Sequence, residues 1–205
     1  MTGKNRKLGI MGGTFDPVHY GHLVTAEAAR LEFDLDQVLF LPSGVPPHKT
    51  DKQVTSAEHR YMMTLLATLS NPHFEVSRLE IDREGVSYTI DSLQILREQC
   101  GPDCELFFIT GADAMFEIIE WRGSDRLLRI AHFIAASRPG FSLSELPPDT
   151  RRWVDEHRNR FHLLNVPAMA ISSTDIRNRV RMGRSIRYLV PEQVEHYIRR
   201  HRLYQ

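Results

Sequence analysis

Two glycines and two histidines lie close together after an apolar run near the start of the sequence. The stretch reads GIMGGTFDPVHYGH and covers residues 9–22. Gly12 and Gly13 let the backbone approach a ligand because no Cβ stands in the way. His19 and His22 share one face if they lie in a first helical turn. Two imidazoles there could donate to phosphate oxygens as charge develops. The stretch therefore predicts a phosphate-binding turn, with a capped turn and solvated histidines as the alternative.

The way in which this turn would hold a phosphate differs from two common patterns. A helix is predicted to follow the turn, and its first N–H groups and its dipole favour an anion. Neither GxGxxG nor GxxxxGK[ST] occurs in the stretch. We therefore expect the glycines, the helix start and the imidazoles to do this work together.

The elements that must position the turn alternate along the chain between apolar strands and helices. Predicted strands cover 7–11, 37–41, 74–79, 105–110, 132–136 and 161–165. They are rich in Val, Ile, Leu and Phe, as strands buried on both faces should be. Predicted helices cover 22–33, 89–99, 113–120, 124–130, 149–157, 174–182 and 192–201, and another starts at a Thr55-x-x-Glu58 capping box. The alternation predicts an α/β fold with a doubly wound parallel sheet, closing C-terminal helices and one domain over 1–205.

The composition excludes several classes of protein. The chain of 205 residues has 26 basic and 26 acidic side chains, so its formal net charge is zero. A broad nucleic-acid or membrane surface would show a basic excess, and no stretch approaches the roughly 20 apolar residues of a membrane span. The first residues lack an apolar signal-peptide core, and the two cysteines fit a reducing compartment. We expect a cytoplasmic protein without nucleic-acid or membrane partners.

Two further segments carry donors that suit phosphate. Pro46-Pro47-His48-Lys49 puts two donors after a stiff, extended dipeptide. Ile171-Ser172-Ser173-Thr174-Asp175-Ile176-Arg177 is a helix start with three hydroxyls, and Arg177 lies one turn in. The hydroxyls can cap N–H groups or leave them free for an anion. A surface loop and an ordinary N-cap are the simpler explanations of each segment alone.

Three other segments are unremarkable when each is taken separately. Ser87-Tyr88-Thr89 precedes a predicted helix, and Trp121 follows a predicted helical segment. Gly111-Ala112-Asp113 follows a predicted strand, at the edge where open α/β sheets bind ligands. A tryptophan after EIIE is more often part of a core than a ligand contact, so each of these segments alone is weak.

Taken in order, these segments resemble one family. GGTFDPVHYGH is similar to the HxGH signature of the nucleotidyltransferase superfamily, in the form found in bacterial nicotinate-nucleotide adenylyltransferases. HxGH alone is shared with pantetheine-phosphate adenylyltransferase, glycerol-phosphate cytidylyltransferases and class I aminoacyl-tRNA synthetases, so it indicates a reaction type and not a substrate. The PPHK, SYT, GxD, W and ISSTxIR segments match the adenylyltransferase family in order, over essentially the whole chain.

The resemblance implies a Rossmann-like nucleotidyltransferase domain and a set of site residues. It assigns catalysis to His19, His22, Lys49 and Arg177. It assigns ATP binding to Gly12, Gly13, Thr14, Phe15, His22, Gly111, Ser172, Ser173 and Arg177. It assigns nicotinate mononucleotide binding to His48, Lys49, Tyr88, Thr89, Asp113 and Trp121.

The implied reaction joins ATP to nicotinate mononucleotide and releases deamido-NAD and pyrophosphate. Mg²⁺ would accompany ATP without a dedicated protein cage, so no metal-ligating residue is assigned. A sister enzyme with another phosphate acceptor and a non-catalytic nucleotide-binding regulator are the alternatives. The sequence leaves the oligomeric state open, a homo-oligomer included.

Overall fold

The computed structural model describes residues 6–46, 54–111, 114, 116–137, 145–167 and 169–205. Within these residues the strands are β1 (Arg6–Gly13), β2 (Gln37–Pro42), β3 (Phe74–Val76), β4 (Cys104–Gly111), β5 (His132–Ser137) and β6 (Phe161–Asn165). The helices are α1 (Tyr20–Glu32), α2 (Ala57–Thr68), α3 (Thr89–Cys100), α4 (Ser124–Ile130), α5 (Pro148–Glu156), α6 (Ser173–Arg181) and α7 (Glu192–Arg200). No helix among them has the length and apolarity that crossing a membrane requires.

The six strands form one parallel sheet in the order β3-β2-β1-β4-β5-β6. Met11 of β1 pairs with Ile109 of β4, and Ile109 in turn pairs with Ile134 of β5. The strand order reverses between β1 and β4, which is the position where doubly wound sheets bind ligands. The predicted α/β, Rossmann-like fold with closing helices is confirmed.

Contacts divide the chain into two compact units. Unit 1 consists of Met1–Gly12, Thr25–Val38 and Tyr88–Ala168, and unit 2 of Gly13–Val24, Leu39–Ser87 and Met169–Gln205. That one domain covers residues 1–205 stays a prediction.

Unit 1 has its core on the strands that pair with β4. Leu106, Ile109, Phe133 and Ile134 are completely buried, as the side chains of strands covered on both faces should be. In unit 2, α2 packs against α7, and the His59 Nδ1 atom of α2 lies 2.9 Å from the Tyr197 hydroxyl of α7.

Several predicted elements differ from the observed ones, and three of these differences have a local cause or change the type of element. Strand β3 ends at Val76 and not at residue 79, because the chain turns there and the Ser77 hydroxyl accepts the N–H of Leu79. The N-cap of α2 is Ser56 and not Thr55, since the Ser56 hydroxyl accepts the N–H of His59. Among the described residues of the predicted helix 113–120 no α-helix occurs, and Ala114, Phe116 and Ile118–Glu120 have 3₁₀ conformation instead.

Candidate functional site

The two histidines of the opening turn stack on each other in unit 2. Their ring centroids are 3.7 Å apart and the rings are inclined by 27°. The backbone N–H of His19 donates to Nδ1 of His22 at 3.2 Å, so the proton of a neutral His22 lies on Nε2. Burial, and then the neighbouring His19, lower the pKa of His22 well below its ordinary value. His22 is therefore a neutral ring that offers one Nε2–H donor.

Small residues and one aromatic ring hold this stack in place. A Cβ at Gly21 would lie 3.0 Å from two ring atoms of His19, so the ring occupies the space that a side chain would take. Phe15 presents its ring edge to His22 at a centroid distance of 5.1 Å, and it is buried in a left-handed conformation with φ of 51°. A Cβ at Gly13 would lie 3.1 Å from the Phe15 ring. The glycines of the turn thus make room for rings packed against it.

The start of α1 places the histidines at a helix N-terminus. The helix begins at Tyr20, two residues earlier than predicted, so the stacked pair belongs to its first turn. The carbonyl of His19 accepts the N–H of His22 at 2.9 Å. A helix N-terminus carries partial positive charge, which suits a phosphate placed beside the rings.

Helix α6 brings the second predicted phosphate segment to the same turn. Ser172 is its N-cap, and its hydroxyl accepts the N–H of Asp175. The Ser173 hydroxyl donates to the carbonyl of Pro17 at 2.9 Å. The Arg177 Nη1 group donates to the carbonyl of Asp16 at 2.6 Å. Ser173 and Arg177 therefore hold α6 against the turn that carries the two histidines.

The loop after β2 leaves the strand at a position that only glycine can occupy. A Cβ at Gly44 would lie 2.1 Å from the carbonyl oxygen of Glu80. The N–H of Gly44 donates to the Ser87 hydroxyl at 3.1 Å. His48 and Lys49, predicted on the continuation of this loop, lie outside the described residues.

The segments predicted for the acceptor ring meet in unit 1. Tyr88 is the N-cap residue of α3, which begins at Thr89, and Tyr88 makes no side-chain capping bond. The Arg122 guanidinium lies over the Tyr88 ring, 4.8 Å from its centroid. A Cβ at Gly123 would lie 3.2 Å from the Ile90 side chain, in the first turn of α3. The start of α3 is thus in contact with the residues that directly follow Trp121.

Phe108 of β4 connects the ring segment with the end of β1. The Trp121 ring meets Phe108 edge to face, with centroids 6.2 Å apart. A Cβ at Gly12 would lie 3.0 Å from the Phe108 ring. Met11 of β1 and Ile109 of β4 are paired in parallel, so the two strands end at the same edge of the sheet. Gly111 is the last residue of β4 at this edge. Asp113 lies outside the described residues.

Comparison with known proteins gives the same assignment over nearly the whole chain. A family model described as cytidylyltransferase-like matches residues 10–179. A probable nicotinate-nucleotide adenylyltransferase of Moorella thermoacetica is 62% identical over 97% of this chain and 92% of its own length. One from Thermoanaerobacter is 53% identical over 97% of this chain and 94% of its own length.

The chain belongs to the nicotinate-nucleotide adenylyltransferase family.

A solved structure agrees with this family's fold. It is a Plasmodium falciparum nicotinic acid mononucleotide adenylyltransferase complexed with NaAD, and it matches with a TM-score of 0.77. Its sequence is 22% identical, and the match covers 97% of both chains. At this identity the likeness concerns the fold alone.

Three residues that bind or pack near the opening turn of this nucleotidyltransferase are not predicted by its sequence. Asp16 is 4% exposed, and its carboxylate accepts the Tyr204 hydroxyl at 2.7 Å and the N–H of Thr55 at 3.3 Å. Burial and the Asp16 carboxylate raise the pKa of Tyr204 above its ordinary value, so its hydroxyl stays a donor. Tyr204 is 188 residues from Asp16 in sequence, and no local pattern connects them.

The third of these residues, Arg60, is a buried cation that binds three backbone carbonyls. It is 1% exposed, and its guanidinium donates to the carbonyls of Thr14, Gly44 and Thr55 at 2.8, 2.9 and 2.8 Å. It therefore joins the opening turn, the loop after β2 and the start of α2. In the sequence, Arg60 stands in a predicted helix beside apolar residues. The pattern of α2 alone places this arginine on the surface.

The described residues contain no cluster of three or more His, Cys, Asp or Glu side chains that could hold a metal ion.

Proposed function

We propose that this enzyme transfers the adenylyl group of ATP to nicotinate mononucleotide, giving deamido-NAD and pyrophosphate for NAD biosynthesis. The stacked His19 and His22 pair carries this proposal: it presents a neutral Nε2–H donor at a helix N-terminus, and the turn that carries the pair also binds Arg177 through the Asp16 carbonyl. The names of the close relatives support the choice of substrates.

The reaction is one displacement at phosphorus. An oxygen of the mononucleotide phosphate attacks the α-phosphorus of ATP, and a new P–O bond forms. The bond from that phosphorus to the oxygen bridging the α and β positions breaks, and pyrophosphate leaves with its electron pair. No covalent enzyme intermediate is needed, because positioning and charge stabilisation supply the catalysis.

The residues around the opening turn divide this work. His22 donates from Nε2 to the oxygens that gain charge, and His19 holds the His22 ring in place by stacking. The Arg177 guanidinium donates hydrogen bonds to two groups of the protein, the Asp16 carbonyl and the Thr174 hydroxyl. A guanidinium has five N–H donors, so others remain for the triphosphate. Lys49 adds a second cation. The proposed ATP site is completed by Ser172, Ser173 and the backbone at Gly12, Gly13, Thr14, Phe15 and Gly111.

The start of α3 is the proposed site of the nicotinate ring. The carboxylate binds the N–H groups of Tyr88 and Thr89 and the Thr89 hydroxyl, at the positive end of the helix dipole. Trp121 stacks on the cationic pyridinium ring, and this contact has an electrostatic part besides its buried area. The Arg122 guanidinium lies over the Tyr88 ring and is 3.7 Å from the Asp91 carboxylate, so its charge is already partly balanced. His48 and Asp113 complete the mononucleotide site.

Mg²⁺ fits this site as the partner of ATP. The described side chains at the turn are imidazoles, hydroxyls and a guanidinium, whereas the Asp16 carboxylate is already engaged by Tyr204 and Thr55. Mg²⁺ prefers oxygen ligands and keeps much of its water, so phosphate oxygens and water suit it better than this set. When bound, it neutralises charge on the triphosphate. A cytoplasmic location is part of the same proposal.

Pyrophosphate release from ATP, measured with each of three acceptors, tests the assignment. The acceptors are nicotinate mononucleotide, nicotinamide mononucleotide and phosphopantetheine. The amide of nicotinamide mononucleotide lacks the charge-assisted bonds of the nicotinate carboxylate, which are worth about 1.5–3 kcal/mol each. We therefore expect kcat/KM to be at least ~10² higher for nicotinate mononucleotide than for nicotinamide mononucleotide. Equal values for the two mononucleotides would contradict the choice of acceptor. ATP binding without pyrophosphate release in the presence of any of the three acceptors would indicate the alternative, a non-catalytic nucleotide-binding regulator.

A further inference from the structure

We infer that Tyr204 is a positioning residue of the ATP site, acting through Asp16 on Arg177. The inference rests on the proposed function, because it takes Arg177 as a triphosphate contact. It adds a residue that follows α7 to a site otherwise built from the opening turn and the start of α6.

Asp16 is the connection between the two residues. Its carboxylate faces Tyr204, with the hydroxyl 2.7 Å from Oδ1, while its carbonyl faces Arg177, with Nη1 at 2.6 Å. The carboxylate and the carbonyl belong to one residue, so a shift of the Asp16 backbone changes both bonds, and the bond from Tyr204 resists such a shift. The orientation of the Arg177 guanidinium therefore depends on how firmly the Asp16 side chain is held.

Burial makes this carboxylate sensitive to the loss of a donor. Asp16 is 4% exposed, so water cannot replace a missing hydroxyl at little cost. Oδ2 has the N–H of Thr55 at 3.3 Å, a longer contact than the 2.7 Å bond from Tyr204. The Tyr204 hydroxyl also lies 3.9 Å from the sulfur of Met63, which is a weak contact. Its strongest bond is therefore the one to Asp16.

The predicted consequence is selective for one substrate. Without the hydroxyl, the Asp16 carboxylate shifts toward the donors that are left and its backbone moves with it. The carbonyl that binds Arg177 then changes position, and the guanidinium loses its fixed direction. ATP binding weakens because Arg177 binds the triphosphate. We expect mononucleotide binding to keep its affinity, since Tyr88, Thr89 and Trp121, which we propose for it, belong to unit 1, whereas this network belongs to unit 2. General loosening of the protein would affect both substrates alike.

Tyr204→Phe compared with Tyr197→Phe provides the test. Both changes remove one tyrosine hydroxyl from unit 2, and that of Tyr197 bonds His59 and not the opening turn. We expect Tyr204→Phe to raise the KM for ATP about fivefold or more and to leave the KM for nicotinate mononucleotide within about twofold. The thermal midpoint should fall, because a buried carboxylate loses a donor. Tyr197→Phe should leave both KM values unchanged. An equal rise in both KM values, or an ATP KM like that of the control, would overturn the inference.

A double-mutant cycle with Arg177→Lys checks the route. If Tyr204 acts through Arg177, its effect on the ATP KM shrinks once Arg177 has been replaced, whereas additive effects would contradict the route. The dissociation constant for ATP, measured by calorimetry without an acceptor, gives a readout that needs no turnover. If the unmodified protein releases no pyrophosphate, the proposed function fails, but a weaker ATP affinity in Tyr204→Phe still supports this inference and an unchanged affinity overturns it.

Discussion

His19, Gly21 and His22 act as one unit at the scale of single residues. The His19 ring lies over the backbone at Gly21 and stacks on His22 at 3.7 Å. The glycine between the histidines is thus needed for the packing of the ring, and not for a left-handed backbone. A side chain at this position would move the ring that holds the donor His22.

Gly21→Ala should separate activity from stability. The new Cβ would lie 3.0 Å from the His19 ring, so the ring must shift by a few tenths of an ångström. We expect kcat to fall about tenfold, since small misplacements of catalytic groups are costly. Alanine is favoured over glycine in a helix by up to about 1 kcal/mol, so the thermal midpoint should stay level or rise. A variant with normal kcat would show that the stack does not depend on Gly21.

Helix α2 shows at the scale of elements how a polar face becomes buried. The apolar Leu69, which directly follows α2, is 68% exposed, whereas the charged Arg60 is 1% exposed. The buried polar groups are satisfied locally. The Thr64 hydroxyl donates to the carbonyl of Arg60, and Arg60 donates to three backbone carbonyls. Apolar periodicity cannot predict such a face.

A pair of histidines on β5 and β6 makes stability depend on pH. Arg160 donates to Nε2 of His132 at 2.9 Å, so the neutral His132 ring has its proton on Nδ1 and donates it to Nε2 of His162 at 3.0 Å. The ring of Phe107 stacks on His132 at 4.7 Å. Burial, then Arg160 and His162, lower the pKa of His132 to about 4, with Lys7 acting in the same direction and Glu105 opposing. Burial also lowers the pKa of His162.

The free energy of unfolding should therefore fall as the pH drops from about 6.5 to about 4. Above the unfolded pKa, near 6.5, both states are neutral and the full stability is present. Below it the unfolded chain binds protons that the folded His132 resists. The shift corresponds to roughly 3 kcal/mol by linkage, and partial exposure of the ring reduces this to about 1–2 kcal/mol. The test is urea unfolding at pH 7 and pH 5. The free energy of unfolding should change less between the two pH values for His132→Phe than for the unmodified protein or for His196→Ala, an exposed control. The same pH dependence in all three proteins would exclude His132 as its source.

At the scale of the whole molecule, the sequence predicts local patterns well and distant contacts poorly. The strand positions and the α/β fold follow from short apolar runs, and the opening turn follows from its glycines and histidines. The contact between Asp16 and Tyr204 spans 188 residues, and the three carbonyls that bind Arg60 come from three segments. These contacts exist only after the chain has folded, so no spacing in the sequence indicates them.

The central claim is that His22 stabilises the charge that develops during adenylyl transfer, and His22→Ala tests it most directly. The measurement is kcat for pyrophosphate release from ATP and nicotinate mononucleotide at saturation, with His196→Ala, an exposed histidine of α7, as the control. We predict a fall of ~10²–10³ in kcat for His22→Ala, a nearly normal kcat for His196→Ala and similar thermal midpoints for both. A folded His22→Ala variant with a nearly normal kcat would contradict the claim.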